Sequence, residues 1–506
     1  MPKPKQRLKE HKKKTKQKNQ GPETADEFLE VGVQFEEAAE KWRAGDAAKS
    51  VRFFLRAIEN YDTALKQFPD SFDMAYNKAR VQYQITQYPK LAAQIPKPLD
   101  ELLYIALESH KRALNLRQGN ADTLFNTAQV LTSISEVILE SQASSGDARP
   151  KALKLIEEAI EFFQRCFSLQ EYQYSESQAQ AKAVEAEFSR LVEFDNSQEG
   201  DSTMTDIAQE KGENSSETEQ WASVVEPVTK DTLLDTAIAE VEALTTLCGL
   251  TVEYSGRGLA WVEELSTGLL QEKISEYVQG TGREEEVARA KGNLICAIGD
   301  AGYRLGKIDL QTYELQLESA FPKNIQIYND AESLCAEADA HLTLNSTISE
   351  FSASQTGTHT SRLIASRWNH LTLALSSLTS ASKLPTTENA KINIARGDTE
   401  LLRFRLSEQP LQYDIAIKNA PTLLKNAQVY YRGAAVIAHN TGESDRVIEA
   451  EVKGAIAALL AGDTSDIQAV LRQRKDVVGP ILVDMAEDGL LGMDQLADVE
   501  SLANAP

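Results

Sequence analysis

From residue 26 onward, apolar residues recur at the spacing of an α-helix, in steps of four or five residues. The first such stretch carries Leu29, Val33, Ala38 and Trp42. No segment shows the alternation of apolar and polar residues, with a period of two, that is typical of a half-buried strand. The pattern therefore predicts an all-α fold. Residues 1–22 have no apolar periodicity, and we expect them to be disordered because they cannot offset the entropy of ordering.

Three nine-residue segments, AIENYDTAL, ALESHKRAL and AIEFFQRCF, share one pattern. Each has a small residue, an aromatic residue or histidine four positions later, and a second small residue after three more. The positions are Ala57, Tyr61 and Ala64; Ala106, His110 and Ala113; and Ala159, Phe163 and Cys166. These offsets lie on one stripe of a helix, where small residues let a neighbouring helix approach closely. We therefore expect all of them to pack between helices.

The register continues beyond these segments. Fifteen residues after Ala64 and Ala113 come Ala79 and Ala128, each preceded by an asparagine, Asn77 or Asn126. Together the patterns resemble the second helix of one tetratricopeptide (TPR) repeat and the first helix of the next. The copies step by 49 and 53 residues, whereas the family's repeats have about 34. We place the extra residues between the two helices of each unit.

The resemblance implies an α-solenoid of TPR-like helical hairpins, with Asn77 and Asn126 in a groove. The C-terminal half holds weaker copies, with Gly306 and Gly397 expected in turns between helices. The predicted divisions are a disordered basic tail (1–24), TPR-like repeats (25–190) that end in a capping helix over 173–190, an acidic disordered linker (191–227) and a C-terminal helical domain (228–506).

Charge divides unevenly along the chain. The first twenty residues hold nine Lys or Arg and one Glu, whereas the whole chain has a formal charge of −23. Removing the tail's +8 leaves −31 on residues 21–506, which disfavours contact with nucleic acid phosphates and favours basic protein partners. The longest apolar runs are too short to cross a membrane, and the N-terminus lacks the apolar core of a secretory signal.

Known catalytic and metal-binding motifs are missing from the sequence. It has no phosphate-binding GxxxxGK, no HExxH and no GxSxG, and its four cysteines are far apart, as is usual in a reducing compartment. We therefore predict a protein that is not an enzyme and uses no cofactor, metal or small-molecule substrate. The carboxylate clamp of TPR co-chaperones is not expected either, because glutamates stand where the first repeat would need Lys and Asn.

The sequence favours a protein-binding scaffold or adaptor located in the nucleus, the cytoplasm or both. An assembly chaperone or escort for a basic ribosomal or nuclear client is the more specific hypothesis, since acidic groups speed encounters with basic segments. The alternative is a ribosome- or RNA-associated factor anchored by weak contacts of residues 1–20. The clustered basic run also fits a nuclear localisation signal. Its candidate residues are Lys9, Lys12, Lys13, Lys14, Lys16 and Lys18.

Overall fold

The computed structural model describes residues 21–141, 146–196, 227–252, 257–322, 330–352, 358–463, 470 and 475–503. Within these ranges every regular element is helical, and helices pack mainly on their neighbours in the chain, which confirms the predicted all-α solenoid of helical hairpins. The localisation-signal candidates and residues 197–226 of the predicted linker lie outside the described ranges. None of the described helices combines the length and the apolar character that crossing a bilayer requires.

The helices up to residue 277 are α1 (Ala25–Trp42), α2 (Ala47–Gln67), α3 (Phe72–Thr86), α4 (Pro89–Ala92), α5 (Leu99–Leu116), α6 (Ala121–Ser141), α7 (Ala148–Asn196), α8 (Lys230–Thr251), α9 (Arg257–Gly268) and, after a π-helical turn at Leu269–Lys273, α10 (Ile274–Tyr277). The remaining helices are α11 (Glu284–Arg304), α12 (Leu310–Ala320), α13 (Ala331–Ser352), α14 (Thr358–Ala381), α15 (Asn389–Arg405), α16 (Asp414–Thr441), α17 (Ser444–Leu460), α18 (Lys475–Glu487) and α19 (Met493–Ala503).

The described chain forms two compact units. The first comprises residues up to Leu250 together with Leu265–Thr281, and the second comprises Thr251–Glu264 and the residues from Gly282 onward. Helix α8 thus belongs mainly to the first unit, although the predicted boundary at 228 assigned it to the C-terminal domain. The physical reason is its packing on α7, where Thr236 Oγ1 donates to Gln170 Oε1 at 2.8 Å in the buried interior.

Helix starts in the first unit follow local sequence signals. Thr24 and Glu27 form a capping box at α1, in which each side chain bonds to the other residue's backbone. Asp46 caps α2 by accepting from Lys49 N at 2.9 Å. The insertion after α3 contains the short helix α4, whose Leu91 is fully buried beside residues of α1, α2 and α3. Part of this insertion therefore contributes to the core.

Helix α7 is much longer than the sequence pattern indicated. The predicted capping helix over 173–190 is the continuation of α7, which also extends to Asn196 within the predicted linker. Residues 181–190 are all exposed, including Val184 and Phe188 at 67% each. Only the start of the predicted segment packs on its own unit, where the ring of Tyr174 lies edge-on to that of Tyr277 with centroids 6.1 Å apart. Residues 181–190 therefore do not act as a cap.

In the second unit, one of the two predicted turn glycines lies in a turn. Gly306 has a φ of +67° between α11 and α12, where the absence of a side chain permits the left-handed backbone. Gly397 instead lies inside α15, so the prediction of a turn there is wrong. Its lack of a side chain serves close packing, because the ring of Tyr431 on α16 lies directly against it.

Candidate functional site

The predicted repeat-packing residues lie on α2, α3, α5, α6 and α7 of the first unit, and each is at most 1% exposed. They are Ala57, Tyr61, Ala64, Ala79, Ala106, His110, Ala113, Ala128, Ala159, Phe163 and Cys166. Their burial makes them part of the scaffold and removes them from any open binding surface. Assigning these helices to TPR repeats in particular stays a prediction.

The two asparagines do not line an open groove. Asn126 is 2% exposed, and its Nδ2 donates to the Tyr76 hydroxyl at 3.4 Å. Asn77 is 9% exposed, and its amide lies beside the buried Tyr61 hydroxyl, whose pKa it lowers. The prediction that these two asparagines lie in a groove is therefore wrong. Both amides lie in the core because buried tyrosine hydroxyls need hydrogen-bond partners.

A buried polar cluster joins the first three helices of the first unit. The Tyr61 hydroxyl of α2 donates to Glu36 Oε1 of α1 at 2.6 Å, and the Arg80 guanidinium of α3 pairs with Glu36 Oε2. Burial and the Glu36 charge raise the pKa of Tyr61 well above its ordinary value. At Gly32 of α1, a Cβ atom would lie 2.3 Å from Tyr61 Cε1. The glycine therefore lets the tyrosine ring reach the carboxylate.

The second unit repeats this arrangement. The Tyr431 hydroxyl of α16 donates to Asp398 Oδ1 of α15 at 2.7 Å, and Lys453 Nζ of α17 donates to Asp398 Oδ2 at 2.9 Å. Lys453 also pairs with Glu449 at 3.0 Å. Burial raises the pKa of Asp398. Burial alone would lower the pKa of Lys453, but the two carboxylates raise it overall. The sequence carried an unnoticed signal for this cluster, because Tyr431 lies between two buried alanines at the repeat spacing, Ala427 and Ala434.

A third cluster has a similar design. Gly299 and Asp300 are adjacent on α11, and the Tyr313 hydroxyl of α12 donates to Asp300 Oδ1 at 3.4 Å. The cation here is Arg304 on the same helix, whose Nε donates to Asp300 Oδ2 at 2.8 Å. In all three clusters a glycine and an acid on one helix receive a tyrosine from the next helix. These tyrosine side chains are fully buried, so the clusters hold helices together and leave no room for a substrate.

Two buried histidines form a further polar contact in the second unit. His341 Nδ1 and His370 Nδ1 lie 2.9 Å apart, and His370 Nε2 lies 3.5 Å from Glu314. Burial lowers the pKa of His370, although Glu314 opposes the shift. Among the described residues, no group of three or more His, Cys, Asp or Glu side chains is arranged to hold a metal ion.

Three of the four cysteines are poorly suited to nucleophilic chemistry. Burial raises the pKa of Cys166 and Cys296 to about 12, and it raises the pKa of Cys335 to about 11. A thiol with so high a pKa is almost entirely protonated at neutral pH, whereas the thiolate is the reactive form. These three thiols are therefore poor nucleophiles at neutral pH.

An open groove lies at the surface of the second unit, between α17 and α18. We call it the acidic groove. It encloses about 520 Å³, and its apolar floor consists of Ile448, Val477 and Ile481. Its charged lining consists of Asp445, Arg446, Glu449, Lys453, Asp484, Glu487 and Asp488. Carboxylates outnumber cations in this lining, and Lys453 is already paired with the half-buried Asp398. The groove thus adjoins the second buried cluster through a shared lysine.

The described chain is therefore an all-helical scaffold with closed polar clusters and open surface grooves. No known family's sequence profile matches it. It is 26% identical over 420 residues to the UPF0656 protein C926.02 of Schizosaccharomyces pombe, which spans 81% of this chain and 84% of the relative.

Solved structures give weaker likenesses. The S. pombe nuclear import adaptor Nro1 matches with a TM-score of 0.36 and 12% identity, over 73% of this chain and 98% of that one. A second Nro1 structure matches with a TM-score of 0.36 and 13% identity, over 73% of this chain and 93% of that one. A circular tandem repeat protein matches with a TM-score of 0.30 and 14% identity, over 94% of this chain and 98% of that one.

Proposed function

We propose that this protein is a non-enzymatic scaffold or adaptor that binds partner proteins through their basic segments. The observation that carries the proposal is a contrast within the described chain. Its strongly shifted polar groups, such as Tyr61 and Tyr431, are used up in closed contacts between helices. The open groove between α17 and α18 combines apolar surface with an excess of carboxylates.

Charge supports basic partners in particular. The chain beyond its first twenty residues carries −31, and such a field raises the rate of encounter with cationic segments. A client that is both basic and prone to bind nucleic acid would be shielded while it is held. We therefore propose the role of assembly chaperone or escort for a basic client, with residues 1–20 acting as a nuclear localisation signal.

The test is affinity purification with mass spectrometry, using the full chain and a chain that lacks residues 1–20. Each is washed at about 0.05 M and about 0.5 M salt, because screening weakens charge contacts between these limits. We expect the same basic proteins to co-purify with both chains at low salt and to be released at high salt. The scaffold proposal is wrong if no basic protein co-purifies at low salt.

The tail-deleted chain separates the proposal from the RNA-anchored alternative. Nine Lys or Arg in twenty residues suit phosphate contacts, and this composition is the observation that favours the alternative. If nuclease treatment and tail deletion each abolish capture, the protein is held by nucleic acid and the alternative is correct. If deletion only shifts the chain from nucleus to cytoplasm, the tail is a localisation signal.

A further inference from the structure

We propose that the acidic groove between α17 and α18 binds a basic amphipathic segment of a partner protein. One lysine or arginine of the segment lies with its stem along the apolar floor and its charge among the carboxylates. This inference rests on the proposed scaffold function and assigns it a site. It also states the pattern that a partner must carry, which is cations interleaved with aliphatic residues.

The floor gives the groove its preference for aliphatic groups. Val477 is 44% exposed, and Ile448 and Ile481 are partly exposed beside it. Lysine and arginine side chains pack their methylene stems on such surfaces while their charged ends stay hydrated. A neighbouring aliphatic residue of the segment would cover the rest of the floor. A segment with charge alone would leave this apolar surface in contact with water.

The rim selects the sign of the charge. Lys453 is occupied by Asp398 and Glu449, and Arg446 is paired with Glu388 and Glu443, so both cations of the lining have partners within the chain. The remaining carboxylates of the lining are Asp445, Asp484, Glu487 and Asp488, all of them exposed. The groove therefore presents a net negative charge to an incoming side chain.

Crowding of these carboxylates is visible at Asp488. Partial burial of this carboxyl raises its pKa, and the charges of Asp484 and Glu449 raise it further, whereas Lys453 opposes the shift. A cation placed between Asp484 and Asp488 would relieve this repulsion. That gain exists only at a site where carboxylates already repel one another, which favours the groove over isolated surface acids.

Two other occupants fit less well. A second copy of this chain would bring another body of charge −31 to a negative surface. The chain's own residues 1–20 are basic, but Met1 and Leu8 are their only apolar residues apart from two prolines, so they match the rim and not the floor. A partner segment that carries both features is the occupant that the groove favours.

The experiment measures binding to the full chain by fluorescence anisotropy, with a short labelled peptide of alternating Lys and Leu as the probe. A Lys–Ser peptide of equal length tests the floor, and Asp484→Lys tests the rim. The matched control is Glu318→Lys, an exposed position on α12 that gives the same change in net charge. Urea midpoints of both variants should equal that of the wild type, because both side chains are exposed.

We expect the Lys–Leu peptide to bind about tenfold more tightly than the Lys–Ser peptide. Asp484→Lys should weaken the Lys–Leu peptide by about tenfold, and Glu318→Lys by less than about twofold. Equal losses in the two variants would overturn the inference, since the attraction would then belong to the whole surface. A tenfold gain on deleting residues 1–20 would also overturn it, because the tail would be the occupant.

Failure of this inference can be told apart from failure of the scaffold proposal. If the wild type and Asp484→Lys capture the same basic proteins from cells, the groove is not the site and the scaffold proposal stands. If the wild type captures none at low salt, the scaffold proposal fails whatever the peptide does. Loss of those partners from Asp484→Lys alone, with retention by Glu318→Lys, supports both.

Discussion

The Tyr431 ring lies so close to Gly397 that a Cβ atom added to the glycine would be 2.5 Å from Tyr431 Cε1. The same relationship holds between Tyr61 and Gly32 in the first unit, with a corresponding distance of 2.3 Å. In both pairs the tyrosine is fully buried and bonds to an acid on the glycine's helix. Glycine is thus required at these helix positions for close approach.

Gly397→Ala should destabilise the second unit. Overpacking a full core costs about 1–3 kcal/mol, which outweighs the gain of up to about 1 kcal/mol in helix propensity. We expect a net loss of about 1–2 kcal/mol, measured from the urea midpoint. The control is Gly433→Ala in α16, where an added Cβ meets nothing within 4 Å. That variant should gain about 0.5–1 kcal/mol, and an equal loss in both would contradict the packing argument.

Lys453→Met should cost more than loss of a surface ion pair, because it leaves Asp398 without its cation. Removing one partner of a buried pair costs about 3–5 kcal/mol. We expect about 3 kcal/mol, because the Asp398 side chain keeps 21% exposure. The control is Arg446→Met at the groove rim, whose partners are more exposed, with an expected loss below about 1 kcal/mol.

The stability of Lys453→Met should increase as the pH falls, whereas an ordinary ion-paired carboxylate makes a protein less stable at low pH. The pKa of Asp398 is already raised by burial, and it should rise further once Lys453 is gone. A carboxyl with a raised folded-state pKa binds its proton more tightly when folded, so stability increases as the pH falls through that pKa. We expect Lys453→Met to recover part of its loss between pH 7 and about pH 5. If its deficit relative to wild type stays constant over this range, Asp398 is not the group responsible.

His110→Phe should stabilise the first unit. The imidazole is completely buried, and neither ring nitrogen has a hydrogen-bond partner among the described residues. Phenylalanine removes these unsatisfied atoms and retains the edge contact with Tyr83, and Phe163 occupies the equivalent repeat position. Because an unsatisfied buried polar atom costs about 1–3 kcal/mol, and some overpacking will offset the gain, we expect about 1 kcal/mol at pH 7.5.

His110 also makes stability depend on pH. Burial lowers its pKa to about 3, with Arg80 adding to the shift. In the unfolded chain this histidine is protonated below a pKa of about 6.5, whereas in the folded chain it stays neutral down to about pH 3. Because the unfolded state binds the extra proton, the free energy of unfolding falls as the pH falls between these two values. Between pH 6.5 and 5.5 the wild type should lose about 1 kcal/mol more than His110→Phe.

How far the sequence predicts this molecule can be seen at a few positions. Tyr61, His110 and Phe163 were predicted to pack because spacing along a helix determines which residues share a face. Gly397 was misjudged because a Gly-Asp pair suits a turn locally, while its real role depends on a tyrosine 34 residues later. Asn77 and Asn126 were misjudged because burial of an amide depends on a tertiary partner.

The acidic groove could not be predicted from the sequence, because it too depends on tertiary contacts. Its walls come from residues near 445–453 and near 477–488, which belong to different helices. Hydrophobic periodicity gives the face of each helix and leaves open which faces meet. The net charge of the chain did indicate the chemistry of a partner, because charge is a property of composition and needs no fold.

The Arg80–Glu36 pair offers a test of whether buried charge holds the first three helices together. Both side chains are at most 8% exposed, and Glu36 also accepts from the Tyr61 hydroxyl. Arg80→Met should cost about 3–5 kcal/mol, because it leaves a buried carboxylate without a cation. Lys78→Met, which breaks the more exposed pair with Asp62, should cost less than about 1 kcal/mol.

A second substitution distinguishes a stranded charge from lost packing. In the Arg80→Met background, Glu36→Gln removes the carboxylate charge while keeping an oxygen for the Tyr61 hydroxyl. We expect the double variant to recover about half of the loss. Together with the cost of Glu36→Gln alone, this recovery should give a coupling energy of about 1–3 kcal/mol in a double-mutant cycle. If the two losses simply add, the cost of Arg80→Met comes from its packed stem. The pair would then contribute shape to the helix junction and little electrostatic stabilisation.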